Sequence, residues 1–328
     1  YMRPEVRDYY FAIIEELCLK YDADGVELDF QRFPKFFRED EVAEGAKVMT
    51  AFVRRIKAMM GRIGQERGKT LRLCVRVPET LAKCEAAGLD VPGWDEAGLV
   101  EMINISSFYM HTMELDVEGF RAKTRRARLY GEMNYVTSQH PKSKFARRYT
   151  TFEAYRASAL NLFHRGADGL SLFNYDYVPA KQRLPMAEGL KRITDVGFLK
   201  TQPKNYVISP GFGTFPATDQ KTFDVIIPDN TTEVRFDRAL LRVETRDGCA
   251  DLEVGVWLNG KALEPCPHEG TELFPPLAQN EGYPTRETVK FFAVPLNLLV
   301  SGGNRVEVKN LEKGTTSCQF RSVEIALY

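Results

Sequence analysis

Residues 21–37, YDADGVELDFQRFPKFF, decide the fold of this chain. Their centre, residues 25–30, alternates apolar and polar side chains after a long amphipathic segment, which predicts a buried β-strand following a helix. Side chains alternate along a strand, so Glu27, Asp29 and Gln31 share one face. Two carboxylates on a buried strand are costly unless they are paired, hydrogen-bonded or used chemically. In a parallel sheet this face must therefore line a barrel lumen or a crevice.

Strand-like and helix-like segments alternate along the first two hundred residues. Further strands are predicted at residues 70–77, 102–108, 128–133 and 168–174. Apolar residues at helical spacing predict helices at residues 4–21, 41–63, 95–100, 117–127, 151–163 and 185–196. The alternation is typical of a parallel α/β sheet, most simply a (β/α)8 TIM barrel. We expect these five strands to be the fourth to the eighth, with three β/α units before Tyr1; a smaller open sheet is the alternative.

The sequence pattern changes after about residue 201. Helical periodicity stops, and short alternating segments are predicted as strands at residues 224–227, 233–236, 240–245, 252–258, 289–294, 304–309 and 322–327. Asn259 and Gly260 between apolar runs indicate a β-hairpin. We therefore predict a barrel region at residues 1–200 and an all-β jelly-roll sandwich at residues 205–328.

Composition excludes several classes of partner. Lys plus Arg and Asp plus Glu both number 45 in the 328 residues, so no net charge favours nucleic acid or an anionic membrane. No apolar run reaches the ~20 residues of a membrane span. The six cysteines form no CxxC pair and no metal-ligand spacing with the histidines, although a Cys249–Cys266 disulfide is conceivable. No glycine-rich phosphate loop is present. We predict neither a metal nor a cofactor, and no compartment or oligomeric state.

A second acid, Glu132, ends the predicted strand RLYGEMN. The C-terminal ends of barrel strands are where catalytic residues lie, so Glu132 is a candidate together with Glu27 and Asp29. The alternative for Glu132 is an exposed glutamate at a strand end. The alternative for the first two acids is a structural ion-pair network with Arg72 or Arg76. A catalytic role and an ion-pair network are compatible, since Arg76 can orient one carboxylate while another reacts.

Three phrases resemble the bacterial glycosyl-hydrolase-like family 10: DGVELDFQRFP, VRVPETLAKCEAAGLDVPGW and DGLSLFNYDYVP. An acid on the fourth strand and a glutamate ending the seventh also resemble the large retaining glycosidase clan. The resemblance implies cleavage of a glycosidic bond by two carboxylates in an oligo- or polysaccharide, with retention and without a cofactor. By this analogy Glu27, with Asp29 as its neighbour, is the proton donor, and Glu132 is the nucleophile.

The same strand also resembles the DxxDxDxE motif of family-18 chitinases. Asp24, Glu27, Asp29 and Gln31 occupy that spacing. The last position, a glutamate and general acid in those enzymes, is Gln31 here, and an amide cannot protonate a leaving oxygen. Substrate-assisted chitin hydrolysis is therefore not predicted.

Other side chains near the strand ends are candidates for sugar binding, because aromatic rings match the apolar faces of sugars. The candidates are Gln31, Arg32, Arg76, Tyr109, Asn174 and Tyr175. His111 and His140 are not assigned as metal ligands. In the C-terminal region VPLNLL, followed by a glycine turn and NRVEV, resembles galactose-binding modules, which bind sugar in some proteins and buttress the barrel in others.

Two rival functions remain open. One is a non-catalytic carbohydrate-binding barrel, suggested by Gln31. The other is a lyase or a metal-assisted hydrolase that uses Glu27, Asp29 and a histidine. Loss of activity on chelation would favour the second.

Overall fold

The computed structural model describes residues 1–139, 147–209, 215–217, 220–245, 252–267, 273–274, 289–312 and 318–328. The helices are α1 (Pro4–Lys20), α2 (Val42–Glu66), α3 (Leu81–Ala86), α4 (Val91–Glu96), α5 (Val117–Lys123), α6 (Phe152–His164), α7 (Ala180–Leu190) and α8 (Val196–Lys200). The strands are β1 (Gly25–Asp29), β2 (Arg72–Pro78), β3 (Met102–Ser106), β4 (Arg128–Asn134), β5 (Val136–Gln139), β6 (Arg147–Tyr149), β7 (Gly169–Phe173), β8 (Lys204–Ile208), β9 (Phe215–Ala217), β10 (Gln220–Ile227), β11 (Ala239–Thr245), β12 (Val254–Leu258), β13 (Lys261–Ala262), β14 (Val289–Val294), β15 (Gly302–Asn310) and β16 (Cys318–Leu327). None of these helices is long and apolar enough to cross a membrane.

The described chain divides into two compact units. The first comprises Tyr1–Phe108, Leu115–Glu132 and Arg165–Ser171. The second comprises Tyr109–Glu114, Met133–His164 and Leu172–Tyr328. This division differs from the predicted boundary at residues 200–205, because α6 packs against β8 across that boundary.

The first unit is built on a curled sheet in the order β1-β2-β3-β4-β7, and the pairs β1/β2, β2/β3 and β3/β4 are parallel. The prediction of a mixed α/β region with a parallel sheet is confirmed, and each predicted strand lies within two residues of an observed one. At Gly25 a Cβ atom would lie 2.1 Å from the carbonyl oxygen of Arg72, so only glycine allows β1 to approach β2 this closely.

One face of this sheet is apolar and the other polar. Leu73, Val75 and Ile103 on the apolar face have no exposed surface. Helix α2 packs against β2, and its buried residues recur at helical spacing: Met49, Phe52, Val53, Ile56, Met60 and Ile63. The helix therefore covers the apolar face, and the acids of β1 lie on the other.

Three predicted helices have different bounds. The helix predicted at 95–100 is wrong: α4 begins at Val91, where Asp90 accepts a hydrogen bond from the Gly93 N–H at 3.1 Å, and Gly98, at φ 64°, lies beyond its end. The helix predicted at 117–127 ends at Lys123, and the one predicted at 185–196 becomes α7 and α8. Helix α3 was not predicted.

From Lys204 onward the described regular elements are strands and one short 3₁₀ turn. Two antiparallel sheets form, in the orders β10-β15-β12-β13 and β14-β11-β16-β8, with β9 pairing β16. Both contribute to one apolar core that includes Tyr206, Phe223, Leu241, Val256 and Phe292. The predicted strand at 233–236 is wrong: the N–H groups of Glu233 and Val234 donate hydrogen bonds to the carbonyl oxygen of Asn230, so the chain forms a turn there.

The Asn259–Gly260 hairpin prediction is confirmed. These residues have φ 50° and 81° and connect β12 to β13 in a two-residue turn. Cys249 and the conceivable Cys249–Cys266 disulfide lie outside the described residues, as does His140.

A buried ion network links β6 to the C-terminal strands within the second unit. Glu324 on β16 pairs with Arg148 on β6 and, at 2.7 Å, with Arg242 on β11. Asn205 on β8 donates to the same carboxylate at 2.8 Å. Burial alone would raise the pKa of Glu324, but the two guanidinium charges outweigh it and hold that pKa at about 2.

Candidate active site

The register of the parallel strands aligns the polar side chains of the first unit. Asp29 on β1 is opposite Arg76 on β2, which is opposite Asn104 on β3. Asn104 is opposite Tyr130, two residues before Glu132 on β4. Because side chains alternate along each strand, Glu27, Asp29, Arg76, Asn104, Ser106 and Glu132 share one face. The predicted acids therefore lie on the polar side of a single sheet.

Arg76 joins two of the three acids. Its Nη1 atom donates to Oδ1 of Asp29 at 2.9 Å, while Nε and Nη2 donate to the two carboxylate oxygens of Glu132. The Arg76 side chain is only 5% exposed. Burial by itself would lower the pKa of Arg76, but the contacts with Glu132 and Asp29 raise it. The predicted ion-pair network is therefore present at Arg76, which pairs with Asp29 and Glu132. Arg72 is exposed at the start of β2.

Glu132 is not an exposed glutamate at a strand end. Its side chain is 1% exposed, both oxygens accept hydrogen bonds from Arg76, and Oε1 also accepts one from the Ser106 hydroxyl. These contacts anchor the Arg76 guanidinium. The role of Glu132 as nucleophile stays a prediction.

Asp29 is more accessible, with 42% of its side chain exposed. Its Oδ1 atom accepts from the backbone N–H groups of Gln31 at 3.0 Å and Arg32 at 3.3 Å, and from Arg76. Among the described residues none donates a hydrogen bond to Oδ2. The Asp29 carboxylate is therefore fixed through Oδ1, and Oδ2 is left for contact with a substrate.

Glu27 has a raised pKa, although its side chain reaches solvent. Desolvation by the surrounding protein is the largest cause, and the negative charges of Glu132 and Asp29 raise it further. Asn104 and Arg76 oppose the shift, and Asn104 does so by donating from Nδ2 to Oε1 of Glu27 at 3.3 Å. A carboxyl group that keeps its proton to higher pH suits a general acid.

Two buried amides complete this polar face. Gln31 is 2% exposed and donates from Nε2 to the carbonyl of Ser106 at 2.7 Å. Asn104 is 4% exposed and also donates to the Ser171 hydroxyl at 3.1 Å. Within the described chain, Gln31 Oε1 and Asn104 Oδ1 accept no hydrogen bond. Asn104, Ser106 and Ser171 were missed by the sequence interpretation; the polar alternation within MINIS and GLS was the available signal.

Arg32 and Phe33 follow Asp29 at the end of β1. The Phe33 side chain is 66% exposed, and its ring centroid is 5.9 Å from the Arg32 guanidinium carbon and 5.7 Å from the ring of Phe108. Phe33 has φ 59°, which is uncommon for a residue other than glycine. An exposed aromatic ring therefore lies four residues after Asp29, packed against Arg32 and Phe108.

The remaining predicted binding residues lie in the second unit. Tyr109 has φ 61°, and its ring centroid is 5.6 Å from that of Phe173. Asn174 has φ 53° and hydrogen-bonds the hydroxyl of Tyr135. Tyr175 donates its hydroxyl to the carbonyl of Arg183 at 2.8 Å. Their contribution to sugar binding stays a prediction.

His111 is buried away from solvent. Its Nδ1 atom is 3.2 Å from the carbonyl oxygen of Asn134, its Nε2 atom is 2.8 Å from the Ser158 hydroxyl, and burial lowers its pKa to about 4. Across the described part of the chain, no three His, Cys, Asp or Glu side chains cluster in a way that could hold a metal ion.

No protein-family model and no curated protein matches this chain. Among solved structures, it is similar to the chitinase ChiW from Paenibacillus sp. str. FPU-7, with 11% identity and a TM-score of 0.44. The alignment covers 94% of this chain and 40% of ChiW, so the chain spans about two fifths of that enzyme.

Two other solved structures are similar over part of the chain. A glycoside hydrolase family 18 N-acetylglucosaminidase from Paenibacillus barengoltzii has 10% identity and a TM-score of 0.41, over 56% of this chain and 75% of that one. The glycoside hydrolase domain of PgaB (BpsB) from Bordetella bronchiseptica has 9% identity and a TM-score of 0.41, over 59% and 62%. All three are glycosidases and none is described as family 10. The similarity is too low to carry residue roles across.

Proposed function

We propose that this protein hydrolyses glycosidic bonds in an oligo- or polysaccharide, with Glu27 and Asp29 as the reacting carboxyl groups. The observation that carries the proposal is the unequal environment of these two acids on one strand. Glu27 has a raised pKa, whereas Asp29 accepts hydrogen bonds from Arg76 and two backbone N–H groups. Carboxyl groups with environments this different divide into an acid and a base or nucleophile.

Glu27 and Asp29 are close enough to act on one bond. The Cα atoms of residues two apart on a strand are separated by about 6.6–6.8 Å along it. Glycosidases place their two carboxyl groups ~5–5.5 Å apart for retention and ~6.5–9.5 Å apart for inversion, so the separation of this pair is of the order that the reaction needs. In the retaining form that we propose, Glu27 protonates the leaving oxygen while Asp29 Oδ2 attacks the anomeric carbon. Water, deprotonated by Glu27, then releases the sugar from Asp29.

Arg76 and Glu132 have a supporting role in this proposal. Arg76 places its positive charge against Asp29 in an ion pair, and Glu132 holds the guanidinium in place through two hydrogen bonds. We therefore assign Arg76 and Glu132 as positioning residues rather than as groups that touch the substrate.

We also propose that the five-stranded sheet is part of a (β/α)8 barrel, corresponding to its fourth to eighth strands, and that residues 205–328 are a jelly-roll module of the galactose-binding type. In the described sheet, β1 and β7 each have one neighbour, so both leave an edge for further strands. Helix α1 exposes Tyr9, Tyr10, Ile13 and Leu17, apolar side chains that a neighbouring helix would cover.

A non-catalytic carbohydrate-binding protein is the second candidate. One argument for it is Gln31, a buried amide at the position where the chitinase pattern has the general acid. The other is the ion pair in which the positive charge of Arg76 offsets the negative charge of Asp29. In such a protein, polar groups around Glu27 would hold a sugar without cleaving it.

Hydrolysis of a panel of oligo- and polysaccharides by the full chain tests the two candidates. The variants Glu27→Gln and Asp29→Asn should each lower kcat by about 10²–10⁴ while retaining the wild-type melting temperature. Glu66→Gln, an exposed glutamate at the end of α2, is the control that should leave kcat unchanged. Saturable sugar binding without turnover in the wild type would establish the second candidate instead.

A further inference from the structure

A cavity of about 540 Å³ lies at the N-terminal ends of β2, β3 and β4. Three arginines line it: Arg72 is the first residue of β2, Arg128 is the first residue of β4, and Arg126 lies in the turn before β4. The acids Asp29 and Glu132 lie near the opposite, C-terminal ends of their strands. The cavity is therefore separate from the candidate active site, and its role is independent of the proposed hydrolysis.

The turn that carries Arg126 is fixed by a buried carboxylate. Asp95 is 2% exposed and accepts hydrogen bonds from the backbone N–H groups of Arg125 at 2.7 Å, Arg126 at 3.1 Å and Ala127 at 2.6 Å. A buried acid that binds three successive main-chain donors holds this turn rigidly. The side chain of Arg126 takes no part in these bonds and lines the cavity.

The Arg126 guanidinium lies close to a glycine. Gly98 lines the cavity at φ 64°, and a Cβ atom there would lie 3.2 Å from Nη2 of Arg126, closer than ordinary contact. Any other residue at 98 would be strained and would crowd the guanidinium. Gly98, in the loop before β3, thus leaves space for the Arg126 guanidinium at the cavity wall.

The cavity has an excess of positive charge. Glu101 is the acid among the described lining residues, and it is already engaged: Oε1 pairs with Lys57, and Oε2 accepts the Leu73 N–H at 2.8 Å. Within the described chain, the guanidinium groups of Arg72, Arg126 and Arg128 form no hydrogen bond or ion pair with a carboxylate. Three like charges around one hollow repel each other, and an anion between them would relieve the repulsion.

We propose that this cavity binds a tetrahedral oxyanion, a phosphate or a sulfate group. Guanidinium groups bind such oxyanions through paired, charge-assisted hydrogen bonds, and arginines at three points around the cavity can engage several oxygens at once. The volume exceeds that of an inorganic ion and lies in the range of small-molecule sites. The anion can therefore be free in solution or be an ester group on a sugar.

Titration of the full chain with anions at constant ionic strength tests this proposal. Sodium phosphate, sodium sulfate, a monosaccharide 6-phosphate and a monosaccharide 6-sulfate are compared with sodium chloride by calorimetry and thermal unfolding. The cavity variants are Arg126→Ala/Arg128→Ala and, separately, Arg72→Ala. The control Lys47→Ala/Arg54→Ala removes two positive charges from the exposed surface of α2.

The expected result is saturable binding to the wild type and to the control, with a Kd at least about tenfold weaker in the double cavity variant. All three arginines are exposed, so each variant should keep the wild-type melting temperature in chloride. If the double variant is destabilised, the anion affinity of Arg72→Ala tests the proposal in its place. Binding of the inorganic anions identifies a free-anion site, and binding of the esters alone identifies a charged substituent on a sugar. No binding to the wild type, or an equal response of the wild type, control and cavity variants, would overturn the proposal.

Discussion

Nη1 of Arg76 donates a hydrogen bond to Oδ1 of Asp29 at 2.9 Å, and both residues belong to one face of the parallel sheet. The rest of the same guanidinium is held by Glu132. One buried cation thus connects an accessible acid to an inaccessible one. Asp29, Glu132 and their neighbour Glu27 therefore have separate proposed roles, and each role can be tested.

Replacing Arg76 should destabilise the first unit. Arg76→Met would leave Glu132 buried without its ion-pair partner, and breaking a buried pair from one side costs about 3–5 kcal/mol of unfolding free energy. Arg72→Met, four residues earlier on the same strand and face but exposed, should cost less than about 0.5 kcal/mol. Urea unfolding at pH 7 measures both. Equal losses in the two variants would show that Arg76 is not a structural clamp.

Chemical rescue should separate Asp29 from Glu132. Removing a nucleophile leaves space that a small anion such as azide can fill, so azide should restore part of the turnover of Asp29→Gly and yield a glycosyl azide. Glu132→Gly should lose stability and show no azide-dependent turnover, because its carboxylate acts through Arg76. Product analysis by NMR measures this. Rescue of Glu132→Gly alone would return the nucleophile role to Glu132.

The pH profile should report the raised pKa of Glu27. A general acid must be protonated, so kcat/KM should fall as the pH rises through the pKa of Glu27. Asn104 donates to the ionised form and lowers that pKa, so Asn104→Leu should move the alkaline limb of the profile to higher pH. An alkaline limb that does not move in Asn104→Leu would argue against Glu27 as the titrating group.

Acid should destabilise the second unit through Glu324. The pKa of Glu324 is about 2 in the folded protein, below its ordinary value of 4.5. A lowered folded pKa means that the stabilisation is complete above pH 4.5 and is lost as the pH falls from about 4.5 to about 2. Urea unfolding between pH 7 and pH 3 should show this decline in wild type. Arg148→Met should show a smaller decline with pH, since one of the two cations that lower the pKa is gone; an unchanged slope would contradict this account.

Hydrolysis should not need a metal ion. If Glu27 and Asp29 act as acid and nucleophile, activity should survive dialysis against EDTA. Loss of activity, restored by added divalent cation, would instead favour a metal-assisted hydrolase or a lyase. Activity measured before and after dialysis decides between these outcomes.

Local patterns in the sequence were sufficient for much of the first unit. The alternation in GVELDF placed Glu27 and Asp29 on one face of β1, and each predicted strand there lies close to an observed one. This works because side-chain periodicity reflects which face of an element is buried, and that information is local. Predictions failed where a tertiary contact sets an element's end. Asp95, for example, binds the N–H groups of residues 125–127, which the periodicity alone predicts to continue a helix.

The sequence by itself determined a parallel α/β sheet with acids on its polar face, followed by a region of strands. Only the tertiary structure decided which acid is accessible and which is buried, and that Arg76 rather than Arg72 pairs with Asp29. These outcomes depend on the register between β1, β2 and β4, whose residues are far apart in the chain. Burial and charge pairing arise from that register, so no local pattern can specify them.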